Sequence, residues 1–247
     1  MLKVEGVGKS YRKGSLFSAN KQHVLNNVSF VCKRGECLGI IGESGSGKST
    51  LGRLLIGIEE PDQGTVLFEG KRIGERKERR GNISAVFQDY TSSMNPFYTV
   101  EQAIMEPLKL KNIPRKEASG KIDRLLHQVG LDSSYRTKYP HELSGGEAQR
   151  VCIARAVSTE PKCILLDESI SSLDGSVQIQ VLQLLKKLRE IYGMGYIFIT
   201  HDIQAAAYIC DRIIFMRQGR IEETVSIAHL KDVQSAYARK LLHMIIP

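Results

Sequence analysis

The chain has 247 residues, 42% of them hydrophobic and 25% charged, with a formal net charge of +8. That profile excludes a disordered or fibrous polypeptide and fits one large α/β domain with a well-filled core. No stretch approaches about eighteen consecutive apolar residues and the opening MLKVEGVGKSY lacks the apolar centre of a signal peptide, so a chain that neither spans a membrane nor is exported is expected.

In chain order, LKVEGV alternates like a strand. VLNNVSFVCKRGECLGIIG reads as a second strand, a turn at Arg34-Gly35 and a short buried strand ending at Gly42. A helix is expected at once in KSTLGRLLIG, then strands in GTVLFEG and NISAVFQD. Between those two strands lies the basic knot KRIGERKERR, Lys71 to Arg80, with six Lys/Arg against two Glu. It reads as a solvated turn. A face for anionic lipid is the other reading, and one for nucleic acid is disfavoured because no aromatic residue interleaves the basic run.

Residues 100 to 130 are helical in period, which implies a helical subdomain inserted over 89–158. After it come a short buried strand in CILLDE, a helix in SVQIQVLQLLKKLREIYG, a strand in YIFIT, a helix near residues 203 to 210 and a strand in RIIFMRQG. Strands alternating with helices imply a largely parallel sheet covered on both faces, in a single domain over 1–247. The five cysteines show no CxxC spacing and sit mostly in apolar runs, so they are expected as small hydrophobes in a reducing compartment, with no structural metal.

GESGSGKST, residues 42 to 50, matches G-x-x-x-x-G-K-[ST] between an expected strand and an expected helix. Gly42, Gly45 and Gly47 let the backbone curl with its amides inward, so the loop made of Gly42, Glu43, Ser44, Gly45, Ser46, Gly47, Lys48, Ser49 and Thr50 is a candidate phosphate cradle. Lys48 would reach the β- and γ-phosphates of ATP and the Ser49 hydroxyl would bind Mg²⁺. CILLDE places Asp167 and Glu168 at a strand's carboxyl end, where open α/β sheets bind ligands. Adjacent carboxylates beside phosphates repel unless a cation lies between them, so Asp167 reads as a Mg²⁺ partner and Glu168 as the base that polarises the attacking water. His201, in FITHD, could hydrogen-bond the γ-phosphate or be structural.

These motifs, in this order with Gln88 in VFQD, LSGGEAQR and SSLD at 171 to 174, resemble the ATP-binding-cassette (ABC) ATPases over nearly the full chain. The resemblance implies a P-loop NTPase of the α/β class: a RecA-like core sheet covered by helices, an antiparallel β subdomain and an inserted α-helical signature subdomain. It implies two cassettes dimerised head to tail, with the Ser144, Gly145, Gly146 and Glu147 turn of one closing on the nucleotide of the other. Asp174 resembles the aspartate that meets the partner's P-loop, Tyr11 the aromatic that stacks on adenine, and Gln88 the residue that touches Mg²⁺ and senses the membrane partner. His201 becomes a second catalytic candidate beside Glu168. Ser169 stands where the family usually has Pro. Glu147 stands where Gln is common; its charge suits the helix dipole and opposes an incoming phosphate.

A separate cassette chain resembles an importer subunit. The segments YRKGSLFSANKQHVLNNVSF, FQDYTSSMNPFYTV and SAYARKLL resemble the second ATPase subunit of the peptide/nickel importers. The implied partners are integral-membrane permease subunits, a second ATPase subunit in a heterodimer or a homodimer, and an extracytoplasmic solute-binding protein, with no nucleic acid. MNPF, Met94 to Phe97, is expected either in the groove that receives the permease or as a loop packed on its own subdomain. The implied location is the cytoplasmic face of the membrane, and the implied cargo a peptide, nickel or cobalt, or a metal chelate. Two rival readings stand beside it: a soluble ABC ATPase acting on nucleic acid, and a regulatory cassette with little turnover.

Overall fold

The computed structural model describes residues 1–12, 21–89, 93–171 and 173–243. Residues 13–20 of the insertion between the first strands, 90–92 of the segment after Gln88, and Ser172 of SSLD lie outside the described residues. Contacts divide the chain into two units, Met1–Arg79 with Tyr196–Pro247, and Arg80–Gly195. The first opens with β1 (Leu2–Arg12), β2 (Lys21–Cys32), β3 (Cys37–Ile41), α1 (Lys48–Leu55), β4 (Gln63–Phe68), β5 (Lys71–Arg72) and α2 (Arg76–Arg79). The second holds β6 (Ile83–Phe87), α3 (Val100–Leu110), α4 (Arg115–Gln128), α5 (Gly145–Val157), β7 (Cys163–Asp167) and α6 (Gly175–Tyr192). The first resumes at β8 (Gly195–Thr200), α7 (Ile203–Ile209), β9 (Arg212–Arg217), β10 (Arg220–Ser226) and α8 (Ala236–His243).

Two kinds of sheet build the first unit. β2, β1, β4 and β5 form an antiparallel sheet in that order, with Leu2, Val4, Val7, Leu25, Val28, Val66 and Phe68 turned inward. β3 instead lies between β8 and β9 with both pairings parallel, while β10 adds antiparallel to β9. Parallel strands are covered on both faces of their sheet, which is why CLGII is buried at every position and β8, GYIFIT, likewise. Residues this apolar would be insoluble in an exposed element.

The second unit pairs β6 and β7 in parallel register, from Ile83 opposite Cys163 to Phe87 opposite Asp167. The expected helical block over 100–130 resolves into two helices, α3 and α4. Asn112 turns left-handed at φ 58° and Pro114 caps α4, so the helix cannot run through. A capping box of Thr99 and Gln102 starts α3. The guanidinium of Arg136 then ties the elements together, donating to Glu101 at 2.8 Å, to both oxygens of Asp123 at 2.8 and 2.9 Å, and to Ser119 at 2.9 Å.

The basic knot is mostly exposed, as a solvated turn would be, and carries more regular structure than a turn. Lys71 and Arg72 form a short edge strand, residues 76–79 form one helical turn, and the guanidinium of Arg79 donates to the carbonyl of Gly57. All five cysteines are buried thiols.

At the turn after β4, Glu69 adopts φ 51° and its carboxylate receives Arg34 and the Met1 ammonium. The Arg34 guanidinium, followed by the ammonium, lowers the Glu69 carboxyl to about 2. A carboxyl depressed on folding adds stability above its unfolded value, and that contribution fades as pH falls toward 2. Glu69→Gln is therefore expected to lower Tm by about 2–4 °C at pH 7. Melting curves down a pH series should show the gap between mutant and wild type closing below about pH 4.

Candidate functional site

β3 ends in the loop that carries GESGSGKST. Its first glycine is dictated by packing: a Cβ on Gly42 would stand 2.2 Å from the carbonyl oxygen of Met216 on β9 and 2.7 Å from Ser46 Oγ. Gly47 takes φ 100° as the N-cap of α1, a conformation that side chains resist. The curl is closed by Ser46 N–H donating to the Glu43 carbonyl at 3.1 Å. Lys48 is buried, and its ammonium donates to the carbonyls of Gly42 at 2.7 Å and Glu43 at 3.0 Å. Ser46 Oγ is buried with no hydrogen-bond partner, while Glu43, Ser44, Gly45 and Ser49 are exposed along the mouth. A buried cation, an unpartnered hydroxyl and the first-turn amides of α1 make a cradle suited to phosphate.

Residues that the sequence reading missed hold this loop in place. The turn between β9 and β10 inserts Gly219 against it: Gly219 N–H donates to the Ser46 carbonyl at 3.0 Å, and the Gly219 carbonyl accepts from Asn26 N–H at 2.9 Å. A Cβ on Gly219 would lie 2.2 Å from the Val24 carbonyl. On the other flank, α8 presents Tyr237, whose hydroxyl accepts from Glu43 N–H at 3.0 Å, and Lys240, 3.7 Å from the Glu43 carboxylate. Burial pushes the Tyr237 phenol up, so it stays neutral. The Gly in the RQGR turn was a legible signal, whereas Tyr237 carried none.

His201 follows β8, whose Thr200 is in register with Ile41 of β3, so the cradle and His201 leave the carboxyl ends of neighbouring parallel strands. His201 is exposed, and next to it Asp202 caps α7 by accepting from Ala205 N–H at 3.0 Å. Tyr11, half-buried on β1, is oriented through its hydroxyl, which donates to Glu59 and accepts from Arg53 at 3.4 Å. Arg53 in turn donates to Thr50 Oγ1 at 3.3 Å, linking that ring to the cradle's own helix.

The second unit repeats the strand-end logic. Phe87 and Asp167 are register partners, so Gln88 and Glu168 leave the carboxyl ends of neighbouring strands. Gln88 is exposed, and Asp167 and Glu168 are half-buried. Glu168 holds φ 49°, a strained conformation for a residue with a side chain, and its carbonyl is pinned by the Ser171 hydroxyl at 2.8 Å. Ser169 beside it is 2% exposed with an unpartnered hydroxyl. Gln178 of α6 donates to the Ile170 carbonyl at 3.1 Å and steadies the segment that leads to Asp174, the exposed N-cap of α6.

LSGGEAQR starts α5. Ser144 is the N-cap: its Oγ accepts from Glu147 N–H at 3.4 Å while Glu147 Oε2 accepts from Ser144 N–H at 2.7 Å. Tyr135 donates its hydroxyl to Glu147 Oε1, and that bond, ahead of the Ser144 amide, holds the Glu147 carboxyl below the usual carboxylate range. A Cβ on Gly146 would meet Val177 of α6 at 3.0 Å, and Arg150 donates to Gln180 at 2.9 Å. The signature turn and the Asp174 end of α6 are therefore neighbours. Gln149 is 1% exposed with its amide unpartnered.

A family model described as ABC transporter matches residues 25–171, more than half of the chain. The chain belongs to the ABC transporter family. This cassette is 48% identical over 243 residues to the metal-staphylopine import system ATP-binding protein CntF of Staphylococcus aureus (strain NCTC 8325 / PS 47), with 98% of each chain covered. It is 41% identical over 255 aligned positions to the nickel import ATP-binding protein NikE of Escherichia coli O157:H7, covering 100% of this chain and 95% of that one. Among solved structures, the ATP-binding cassette MJ0796 in a dimeric post-hydrolysis state bound to ADP and Pi gives a TM-score of 0.82 at 32% identity, over 92% of this chain and 99% of that one. The ABC cassette is thus an α/β P-loop NTPase, and an ATPase that couples hydrolysis to import through a membrane transporter. No helix among the described residues is long and apolar enough to cross a membrane.

Gly42→Ala is expected to weaken binding of a fluorescent ATP analogue by more than about tenfold, because the new methyl displaces the loop from Met216. Gly70→Ala, at φ 82° but in open space, should lower Tm and leave that titration unchanged.

Proposed function

We propose that this cassette powers import of a metal ion or a metal chelate rather than a peptide. The observation that carries the reading is the 48% identity to a metal-staphylopine import ATPase over 98% of both chains, together with 41% identity to a nickel import ATPase over 100% of this chain and 95% of that one. In this reading the chain sits peripherally on the cytoplasmic face of the membrane. It pairs with a second ATPase subunit, works on permease subunits, and receives cargo through an extracytoplasmic solute-binding protein. Asn95 to Phe97 faces the permease, and Phe97, 83% exposed, offers it an apolar side chain, while Met94 is buried in the chain's own core.

The roles proposed for the residues follow from their chemistry. Gly42 to Thr50 wrap the phosphates with backbone amides, Lys48 neutralises the β- and γ-phosphates, and Tyr11 stacks on the adenine. Ser49, Gln88 and Asp167 offer a hydroxyl, an amide oxygen and a carboxylate, an all-oxygen set of the kind Mg²⁺ takes while keeping several waters. When bound, the ion neutralises charge on the phosphate oxygens. Glu168 orients the attacking water and His201 hydrogen-bonds the γ-phosphate, with ADP and phosphate as products. Ser144, Gly145 and Gly146 present first-turn amides to the nucleotide of the second cassette, and Asp174 meets that cassette's P-loop. Residues 89–158 act as the helical signature subdomain.

Glu168→Gln should keep ATP affinity within about threefold of wild type and lower kcat by more than about 10², since only the base is lost. Normal turnover in that variant would remove the assignment of Glu168. Cargo is settled by deleting the chain from its native cells and following elemental content and labelled peptide uptake together. Loss of nickel, cobalt or zinc accumulation with peptide uptake intact is expected, and the reverse pattern would overturn the metal reading.

A further inference from the structure

Glu147 places a full negative charge in the first turn of α5, beside the amides that would meet a phosphate. Both of its carboxylate oxygens are engaged. Oε2 accepts from the Ser144 amide at 2.7 Å, and Oε1 accepts the hydroxyl of Tyr135 from the turn Ser133–Thr137. Lys138 Nζ lies 3.7 Å from the centroid of the same Tyr135 ring, bringing a cation to the outer side of the cluster. Gly145 and Gly146 occupy the first two positions of the helix, where backbone N–H groups have no intrahelical acceptor.

We infer that Tyr135 is a positioning residue for ATP hydrolysis: its hydroxyl pins the Glu147 carboxylate back against Ser144, so that the charge completes the helix cap and the Gly145 and Gly146 amides stay open to a phosphate. The capping box alone fixes one oxygen and leaves the carboxylate free to swing about its last bond. A second hydrogen bond, from a separate turn, removes that freedom. A glutamine at this position carries no charge and needs no such restraint, so the restraint is specific to a chain with Glu here. The inference rests on the proposed meeting of Ser144 to Gly146 with a nucleotide phosphate.

The test measures ATPase kcat and KM on the full chain, purified in its native membrane complex, with melting curves for each variant. Tyr135→Phe should lower kcat/KM by about five- to tenfold, the effect of one charge-assisted hydrogen bond, while moving Tm by less than about 2 °C. Added to Glu147→Gln, the same change should cause no further fall, because the restrained charge is gone. An equal fall in both backgrounds assigns Tyr135 a merely structural role and overturns the inference, as does no fall in either. Ser144→Asp keeps a good N-cap and sets a new carboxylate over the amides. If it leaves turnover intact, the phosphate reading fails and takes the inference with it. If it abolishes turnover while Tyr135→Phe is silent, the inference alone fails.

Discussion

The nucleotide cradle depends on backbone segments approaching more closely than any side chain allows. Gly42 lies against the Met216 carbonyl and Gly219 against the Val24 carbonyl, each with room for hydrogen and nothing larger. From that contact the rest of the first unit follows. The β9–β10 turn can reach the Ser46 carbonyl, β2 can reach Gly219 through Asn26, and the loop is clamped between a parallel and an antiparallel sheet. The loop's backbone is therefore fixed by the fold itself, which is the condition under which backbone dipoles stabilise charge most effectively. Lys48 is held inside the loop by the carbonyls of Gly42 and Glu43, so its ammonium is preorganised too.

The second unit handles two acidic residues, Glu168 and Glu147, by different local devices. Glu168 sits on a left-handed backbone whose carbonyl the Ser171 hydroxyl holds, while Gln178 holds the Ile170 carbonyl two residues on. Glu147 is treated in the opposite way, drawn into a cap by Ser144 and Tyr135. In one case the backbone is held and in the other the carboxylate itself, both by hydrogen bonds from nearby residues.

Much of this was legible in the sequence because phosphate chemistry forces residue types into fixed spacings. GESGSGKST cannot be built without its glycines and lysine, and a strand such as CILLDE, apolar until two acids, has few other uses. The order of LSGGEAQR, SSLD and THD carried the family. Contacts made by ordinary residues at long range were not legible. Nothing in SAYARKLL marks Tyr237 as the acceptor for the Glu43 amide, 194 residues away. Helical periodicity over 100–130 concealed the break at Asn112, because a left-handed asparagine leaves the apolar spacing nearly intact. The knot at Lys71–Arg80 read as solvent-exposed charge, and most of it is; the short strand pairs with β4 and Arg79 with the Gly57 carbonyl, partners that no local pattern announces.

The second unit is one continuous stretch of chain, whereas the first is assembled from two pieces separated by it. β3, wholly apolar, finds both of its parallel neighbours only in residues 195–217. At about 5–20 residues per second of synthesis, β3 leaves the ribosome roughly 8–30 s before β8 exists to pair with it. The helical segment can fold in that interval, and the phosphate cradle cannot. A nascent chain therefore carries an exposed sticky strand until β8 and β9 have emerged, and the contacts that seat the loop after β3 form only then.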